Sequence, residues 1–370
     1  MSRIDELIND HCPGGVRYEA IGVNCEVLRG KRLTKKELHE DGDYPVFHGG
    51  LIPLGRYDKF NRSANQTMVI NTGSVGEVVW SSVDFWSSDG TFVIRTSDDI
   101  NDRFLYYFLK TQESYLKTQK REGGVPTIDR QSVENLSIPI PPLEIQEEIV
   151  KTLDLFTELE AELEAELEAR KTQYTYYRDS LLRFEGKDVE WKTLDKIARN
   201  LDSKRKPVRS SDRESGHFPY YGASGIVDYV SDYIFDGDYL LVSEDGANLL
   251  ARNTPIAFSI SGKTWVNNHA HVIEFDSYAT RRFVEFYLNS IDLSKFISGA
   301  AQPKLNKENL NKIPIPIPPI SEQERIVSIL DKFDALVNDI SIGLPAEIEA
   351  RRKQYEYYRN RLLTFEMVNG

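Results

Sequence analysis

Basic side chains cluster at matching places in the two halves of this 370-residue sequence. Lysine and arginine hold the phosphates of nucleic acids and fix the register of a protein on a duplex. A run of charge is often only a solvated face, but these runs recur at the start of both halves, which favours phosphate binding. The basic residues predicted to contact DNA are Lys31, Arg32, Lys35, Lys120 and Arg121 in the first half, and Lys204, Arg205, Lys206, Arg252 and Lys304 in the second.

Polar side chains on glycine-containing loops are the candidates for recognising bases. Glycine lets one backbone approach another closely, and asparagine pairs with adenine through two hydrogen bonds. Asparagine and glycine are also typical of ordinary turns, so the sequence leaves both interpretations open for any single residue. The candidates are His48, Asn71 and Ser74 in the first half, and Ser224, Asn248, Asn268 and His269 in the second.

No pattern in the sequence indicates catalysis or metal binding. The sequence has no GxGxxG, GxxxxGK[ST] or GxSxG segment, and no Asn-Pro-Pro-Tyr of the kind that amino-methyltransferases use. His269 and His271 are two residues apart and would share one face of a strand. No acidic or cysteine partner follows them at a metal-binding spacing, so neither a catalytic residue nor a metal site is predicted.

The distribution of charge is compatible with a nucleic-acid partner, although the net charge is −12. Residues 143–185 hold 12 acids and 5 bases (−7), and residues 320–366 hold 9 acids and 7 bases (−2). These segments account for −9 and leave −3 elsewhere, and local patches decide whether phosphates bind. The sequence contains no run of eighteen apolar residues, so no membrane span is expected. It has no apolar stretch near the N-terminus, so no signal peptide is expected. With only Cys12 and Cys25 present, a reducing cytoplasm is expected.

An internal duplication organises the elements that must position these residues. Residues 138–149 are IPIPPLEIQEEI and residues 315–326 are IPIPPISEQERI. Residues 168–185 match residues 349–366 at 12 of 18 positions, with four extra residues between the two matches in the second copy. The regions before each match diverge strongly. The chain is therefore predicted to contain a globular region, a long helix, a second globular region and a second long helix.

Each matched segment is predicted to be a long helix with an apolar seam. From Ile149 to Phe184 the apolar positions alternate in spacings of four and three residues, which is typical of helix-to-helix packing over roughly 54 Å. The second helix is expected to bend or split near 341–345, because it contains Gly343 and Pro345. Antiparallel packing within one chain is favoured over a self-associating zipper. The predicted packing residues are Leu153, Phe156, Leu163, Leu167, Tyr174, Tyr177, Leu330, Phe333, Tyr355 and Tyr358.

Both globular regions show strand-like runs followed by a helix, which predicts the α+β class. The strand-like runs are 66–70, 76–80 and 91–95 in the first region, and 238–242, 255–260 and 270–275 in the second. The helices that follow them are expected near 101–120 and 280–297. The predicted organisation is a first globular domain at 1–141, a first long helix at 142–186, a second domain at 187–318 and a second long helix at 319–370.

These features together resemble the specificity subunits of type I restriction–modification systems. The resemblance rests on the two helices, each entered through IPIPP and closed by a QYxYYRxxLLxFE run. It also rests on HCPGGV at 11–16, EDGANLL at 244–250 and WVNNHAHV at 265–272. It implies two target-recognition domains, one for each half of a split DNA site, at opposite ends of an antiparallel coiled-coil spacer that fixes the gap between the half-sites.

The resemblance also implies the partners and cofactors. Two methyltransferase subunits would dock on the helices and supply S-adenosylmethionine chemistry at adenine N6, while this chain itself is non-catalytic and binds no cofactor. Motor-nuclease restriction subunits are further partners that the family uses. Two other hypotheses stay open from the residues alone: a coiled-coil adaptor with degenerate DNA-binding domains, and a nuclease of unrecognised type.

Overall fold

In a computed structural model, which describes residues 3–121, 124–252, 254–299 and 302–368, the chain forms two compact units. The first unit consists of Met1–Glu164 with Glu347–Gly370, and the second of Ala165–Ala346. Each unit therefore combines one globular domain with parts of two helical segments that are distant in sequence. None of the helices in the described ranges is both long and apolar enough to cross a membrane.

Among its described residues, the first unit contains three small sheets, four helices of its own, the first part of a fifth helix that continues into the second unit, and most of the last helix of the chain. The helices are α1 (Arg3–His11), α2 (Ile21–Asn24), α3 (Asp102–Thr118), α4 (Arg130–Glu134) and α5 (Leu143–Leu181). The strands are β1 (Tyr18–Ala20), β2 (Glu26–Arg29), β3 (Tyr44–Phe47), β4 (Gly55–Tyr57), β5 (Gln66–Ile70), β6 (Val78–Ser81), β7 (Trp86–Ser87), β8 (Thr91–Arg95) and β9 (Ser137–Pro139).

The core of the first domain lies between its largest sheet and helix α3. The sheet has the order β2-β8-β5-β6, and all of its neighbouring strands are antiparallel. Helix α3 begins where the Asn101 side chain accepts hydrogen bonds from the amides of Arg103 and Phe104, at 2.9 and 3.0 Å. One face of α3, which includes Leu105 and Leu109, is fully buried. A second sheet, β4-β3-β7, carries a parallel pair between β3 and β7.

The second unit repeats this plan with longer strands. Its strands are β10 (Glu190–Thr193), β11 (Arg199–Asn200), β12 (Ser215–Gly222), β13 (Gly225–Val230), β14 (Phe235–Ser243), β15 (Ala257–Val266), β16 (Ala270–Glu274) and β17 (Pro314–Ile317). Its helices are α6 (Asn248–Ala251), α7 (Tyr278–Ser290), α8 (Lys307–Asn311) and α9 (Ile320–Asn338), and α10 (Leu344–Leu362) follows, mostly within the first unit. Six strands form one sheet in the order β11-β16-β14-β15-β12-β13.

The predicted α+β class with two repeated domains is confirmed. Most of the strand-like runs coincide with β5, β6, β8, β14, β15 and β16, and the predicted helices with α3 and α7. The repeat extends to details of pairing, since β3 is parallel to β7 as β12 is to β15. The indole of Trp86 donates to the Lys31 carbonyl at 2.8 Å, and that of Trp265 to the Lys206 carbonyl at 2.6 Å.

The repeated proline segments join each domain to a helix. Pro139 lies on β9, and Pro314 and Pro316 lie on β17. These strands pair with β1 and β10 in two-stranded sheets, where a missing amide donor is tolerated. Helix α5 then begins at Leu143, and its buried Gln146 donates to the carbonyls of Pro141 and Asp99, both at 2.8 Å. Gln323 makes the matching bond to Pro318 at 2.8 Å.

The second helical segment is divided, and residues 339–343 separate α9 from α10. The carboxylate of Asp339 accepts from the amide of Ser341 at 2.7 Å and stabilises the turn. A Cβ atom on Gly343 would lie 2.4 Å from the carbonyl oxygen of Ala335, so the turn admits only glycine there. Helix α5 is continuous over 39 residues, a length of about 58 Å. The break therefore lies in the stretch where the sequence predicts a bend or split.

Candidate nucleic-acid interface

Several segments of the first domain meet around a cleft of about 1120 Å³, here named the basic cleft. It is lined by Arg29 at the end of β2, residues 32–35, residues 48–50 and 52–54 of the loop between β3 and β4, Thr72 with Gly73, Asp89 with Gly90, and Val125. Arg29, Arg32 and Lys35 are exposed on it.

The charge of the basic cleft is positive and largely unpaired. Within the part of the chain that the structure describes, none of Arg29, Arg32 and Lys35 forms an ion pair, and Asp89 is the one acidic residue in the lining. The Asp89 carboxylate lies 3.4 Å from Nδ1 of His48. Three cations that face solvent without a carboxylate partner suit phosphate groups.

Glycines allow the loops of the basic cleft to touch. A Cβ atom on Gly49 would lie 2.6 Å from the carbonyl oxygen of Thr72. Gly73 has φ +92°, and a Cβ atom there would lie 2.4 Å from the carbonyl oxygen of Gly49. A side chain at either position would push the 48–54 loop away from β5, so the cleft depends on these residues having none.

The structure brings His48 and Ser74 to this region but corrects the prediction for Asn71. Ser74 is exposed, and its amide donates to the Gly49 carbonyl at 2.9 Å. Asn71 is buried; its amide group donates to the Asp89 carbonyl at 3.2 Å, and its oxygen accepts from the Thr72 hydroxyl at 2.8 Å. Because both ends of the Asn71 side chain are occupied, it stabilises the loop and is not free to contact a base.

The other basic residues predicted in the first domain lie at the surface around the same loops. Lys31 and Lys120 are exposed. Arg121 is exposed but forms an ion pair with Asp129, which offsets its charge. The amide of Arg121 donates to the Thr127 carbonyl at 2.8 Å, and Thr127 bridges to Thr72 of the basic cleft.

In the second domain, most of the predicted basic and polar residues surround a partly buried ion-pair network. Arg205 is only 12 % exposed; its guanidinium lies 2.6 Å from Glu244 and 3.3 Å from Asp202. Lys304 lies 3.0 Å from Glu244 and is half exposed. The prediction that Arg205 binds phosphate is therefore corrected, since its charge is already paired inside the protein.

His271 completes this network as a fully buried side chain. Its Nδ1 lies 2.6 Å from the Asp202 carboxylate and its Nε2 lies 2.7 Å from the Leu305 carbonyl oxygen. Burial raises the pKa of Asp202 and of Glu244, but hydrogen bonds from His271 to Asp202 and from Arg205 to Glu244 outweigh burial and hold both pKa values below their usual range.

Asp202, Glu244 and His271 also meet the distance requirement for a metal site, because their ligand atoms lie within 4.8 Å of one another. Their hydrogen bonds argue for a different role. Both nitrogens of His271 are occupied, and Arg205 supplies the positive charge between the two carboxylates. The cluster therefore joins the loops of this domain as an ion-pair network. His269, two residues earlier, is exposed instead and lies 2.9 Å from Asp245.

The exposed members of the predicted set lie on the loops that this network joins. The Glu244 amide donates to the His269 carbonyl at 2.9 Å, and the Leu305 amide donates to the Glu244 carbonyl at 2.8 Å. Ser224 is exposed in the two-residue turn between β12 and β13. The structure thus brings together, on adjoining loops, the exposed residues Lys204, Lys206, Asn268, His269 and Lys304.

Two further predictions for the second domain are corrected. The Asn248 side chain donates to the Thr254 carbonyl at 2.9 Å and accepts from its amide at 3.1 Å, so it closes the turn after α6. The Arg252 guanidinium donates to the Ile291 carbonyl, and burial lowers the pKa of Arg252. Both side chains are half-buried and occupied by backbone groups, which leaves them little capacity to bind DNA.

The helical seam predicted from the heptads is visible in the first unit. Phe156 of α5 stacks on Tyr358 of α10 with ring centroids 5.5 Å apart, and lies 6.4 Å from the ring of Tyr355. Arg352 forms an ion pair with Glu160 at 2.5 Å. Compared with the contact of Phe156 with Tyr358, the residue number rises on α5 and falls on α10, so the two helices are antiparallel. Leu153 is fully buried, and Leu163 is half-buried.

An equivalent seam lies within the second unit. Tyr174 and Tyr177 of α5 contact Phe333 of α9 with ring centroids 6.3 and 5.5 Å apart. Burial raises the pKa of Tyr174 to about 12. Leu330 is fully buried and Leu167 is half-buried. The ten predicted packing residues divide between the two compact units, five in each, and the aromatic members make the contacts across the seams.

Sequence reasoning missed the arginines that fix each domain to its helix. Arg103 of α3 lies 2.9 Å from Asp154 of α5, and Arg282 of α7 lies 2.7 Å from Asp331 of α9. The two arginines match in the repeat, and the two aspartates are 177 residues apart, the same offset as the IPIPP segments. That shared offset was the available signal. Arg29, which lies at the end of β2 and is separated from Lys31 by Gly30, was also missed.

Comparison with known proteins gives consistent matches. The chain matches the family described as type I restriction modification DNA specificity domain over residues 21–169 and 186–350. It is 32 % identical over 416 residues to the EcoR124I/EcoR124II specificity subunit of Escherichia coli, covering 99 % of this chain and 97 % of that protein. A Haemophilus influenzae protein that carries the name of a type I restriction enzyme specificity subunit is 44 % identical over 189 residues, about half of each chain.

The fold is likewise similar to a solved structure. The type I restriction–modification S subunit from M. genitalium superimposes with a TM-score of 0.69 at 20 % identity, covering 94 % of this chain and 96 % of that one. At this level of identity the similarity concerns the fold.

Proposed function

The chain belongs to the family of type I restriction–modification DNA specificity subunits, and from this premise we propose that each of its two domains binds one half of a split, asymmetric DNA site. The family supplies sequence specificity to a complex whose catalytic groups lie on other subunits. The asymmetry follows from the divergence of the two domains, since different loops present different side chains to each half-site.

The observation that carries this proposal is the basic cleft. Arg29, Arg32 and Lys35 are exposed beside a loop rich in glycine and form no ion pair with any residue that the structure describes. Backbone and cations therefore both approach the same space. Phosphate contacts of this kind position a protein on DNA, while neighbouring loop residues contact the bases. In the second domain, Lys204 and Lys206 occupy the corresponding place beside the network of Arg205.

The partners implied by the family are DNA and a methyltransferase. We propose in addition that two methyltransferase subunits dock on the helices and that S-adenosylmethionine is bound by them. Tyr176 and Tyr357 support this, because they occupy equivalent positions on α5 and α10 and are 67 and 60 % exposed. Restriction subunits would join the same complex.

Two free thiols, Cys12 and Cys25, fit a reducing cytoplasm.

Mapping of adenine methylation at base resolution tests the function directly. Cells that express the chain with its cognate methyltransferase are compared with cells that express the methyltransferase alone. A single split motif that appears only with the chain is the expected result, and it gives both half-sites and the gap. If the methyltransferase is expressed and bound but no motif appears, the chain is an adaptor instead.

The double variant Arg32→Ala with Lys35→Ala is expected to weaken binding to specific and random duplexes by a similar factor. The slope of log K against log salt should fall by about two at most, because two phosphate contacts are lost. The measurement is a salt titration of the complex with its methyltransferase. Arg130→Ala is the matched control, since Arg130 is exposed in the same domain but outside the basic cleft and paired with Glu134. An unchanged slope would show that the basic cleft does not hold phosphates.

A further inference from the structure

Both domains expose a pair of aliphatic side chains at or next to the tip of a β-hairpin. In the first domain Leu51 and Ile52, between β3 and β4, are 52 and 79 % exposed. In the second domain Ile226 and Val227, at the start of β13, are 47 and 56 % exposed. Exposed aliphatic residues are ordinary when scattered singly, but adjacent pairs at one functional edge indicate a contact surface.

The two hairpins occupy the same place in their domains. Val46 on β3 pairs in parallel with Trp86, and Tyr220 on β12 pairs in parallel with Trp265. In each domain the next strand along the chain, β4 or β13, is the antiparallel partner that completes the hairpin.

Cations lie beside the tip in the first domain, where Ile52, Pro53 and Leu54 line the basic cleft together with Arg32 and Lys35. In the second domain Lys206 is exposed, and its backbone carbonyl accepts from the indole of Trp265, on the strand that pairs with β12. An apolar tip with unpaired cations at its base is complementary to a DNA groove, where phosphates form the rim and base edges form the floor.

A two-stranded β-ribbon fits the major groove of B-DNA, and aliphatic side chains contact the thymine methyl group there. We propose that the pairs Leu51–Ile52 and Ile226–Val227 enter the major groove and contact base edges at the pyrimidine C5 position, so that each pair determines specificity in one half-site. This inference rests on the proposed function and adds the residues and the groove. The cations then supply affinity for any duplex, and the tips supply discrimination.

Serine variants of the tips separate these contributions in the full chain with its methyltransferase. Leu51→Ser with Ile52→Ser should reduce affinity for the cognate duplex by about tenfold, through loss of two apolar contacts. Affinity for a random duplex and the salt slope should stay unchanged. Ile226→Ser with Val227→Ser should likewise reduce affinity for the cognate duplex and leave affinity for a random duplex unchanged. Val83→Ser is the control, because Val83 is 53 % exposed in the first domain but lies outside the basic cleft. Equal cognate affinity in tip variants and wild type would overturn the proposal.

A scan of the pyrimidine C5 position tests the groove. Every base pair carries one pyrimidine, so thymine is replaced by deoxyuridine, or cytosine by 5-methylcytosine, at each pair of both half-sites. Wild type should show an affinity change of about threefold or more at one or more pairs per half-site. The first tip variant should lose this response in one half-site only, and the second variant in the other.

The possible failures can be told apart. If wild type shows no split motif, the proposed function itself fails. If wild type has a split motif but responds to no C5 change, the tips do not enter the major groove. If the tip variants keep DNA binding but lose the methyltransferase, the aliphatic pairs form a protein interface and the proposal is wrong.

Discussion

Deletion of residues 341–344 is expected to reduce methylation at the wild-type site at least tenfold. After the deletion, only Asp339 and Ile340 connect α9 to Pro345. The turn that contains Gly343 is lost. A residue before proline is disfavoured in helical conformation, so a continuous helix is not expected to form in its place. Helix α10 must then shift along its seam with α5, where Phe156 stacks on Tyr358. Any remaining methylation should occur at sites with a different gap.

The measurement is the same base-resolution methylation map, made with the deletion variant and with Ile342→Ser. Ile342 is 78 % exposed in the turn, so its replacement keeps the chain length and tests only the local surface. The control should retain the wild-type motif and gap. If the deletion variant methylates the same motif with the same gap and at the same rate, the break between α9 and α10 has no part in setting the spacing.

Replacement of Arg205 by alanine is expected to destabilise the second domain by about 3 kcal/mol, the cost of removing one partner from a buried ion pair. Asp202 and Glu244 would stay beside each other without the guanidinium that now lies between them. Lys204→Ala is the control, because Lys204 is exposed and only one residue away. The melting temperature in thermal unfolding should fall clearly for Arg205→Ala and change very little for Lys204→Ala.

The destabilisation by Arg205→Ala should depend on pH. The folded protein lowers the pKa of Asp202 and Glu244 from ordinary values of 3.8 and 4.5, so their contribution is complete above those values and is lost as pH falls through the lowered ones. The difference between variant and wild type is therefore largest near neutral pH and shrinks in acid. Equal melting temperatures at pH 7 would show that the network adds no stability, and would restore Arg205 as a candidate phosphate ligand.

Local sequence determined much of this protein. The heptad spacing specified long helices because apolar residues every three or four positions can be buried only along a helical seam. The prolines of IPIPP specified extended entries, because proline fixes φ and lacks an amide donor. Pro345 and Gly343 marked the break between α9 and α10, and the duplication itself indicated the family. Each of these signals depends on residues close together in the chain.

Only the tertiary structure decided which charged and polar residues are free. In the sequence, nothing distinguishes the paired residues Arg205, Asn71 and Arg252 from the exposed residues Lys204, Ser74 and Arg32. In the structure, the side chains of the paired residues bond to partners up to 65 residues away. Whether a guanidinium faces solvent or a buried carboxylate depends on which loops the sheet brings together, and these loops are far apart in the chain. The same holds for the aliphatic tips, since exposure is a property of the packed domain and not of the residue type.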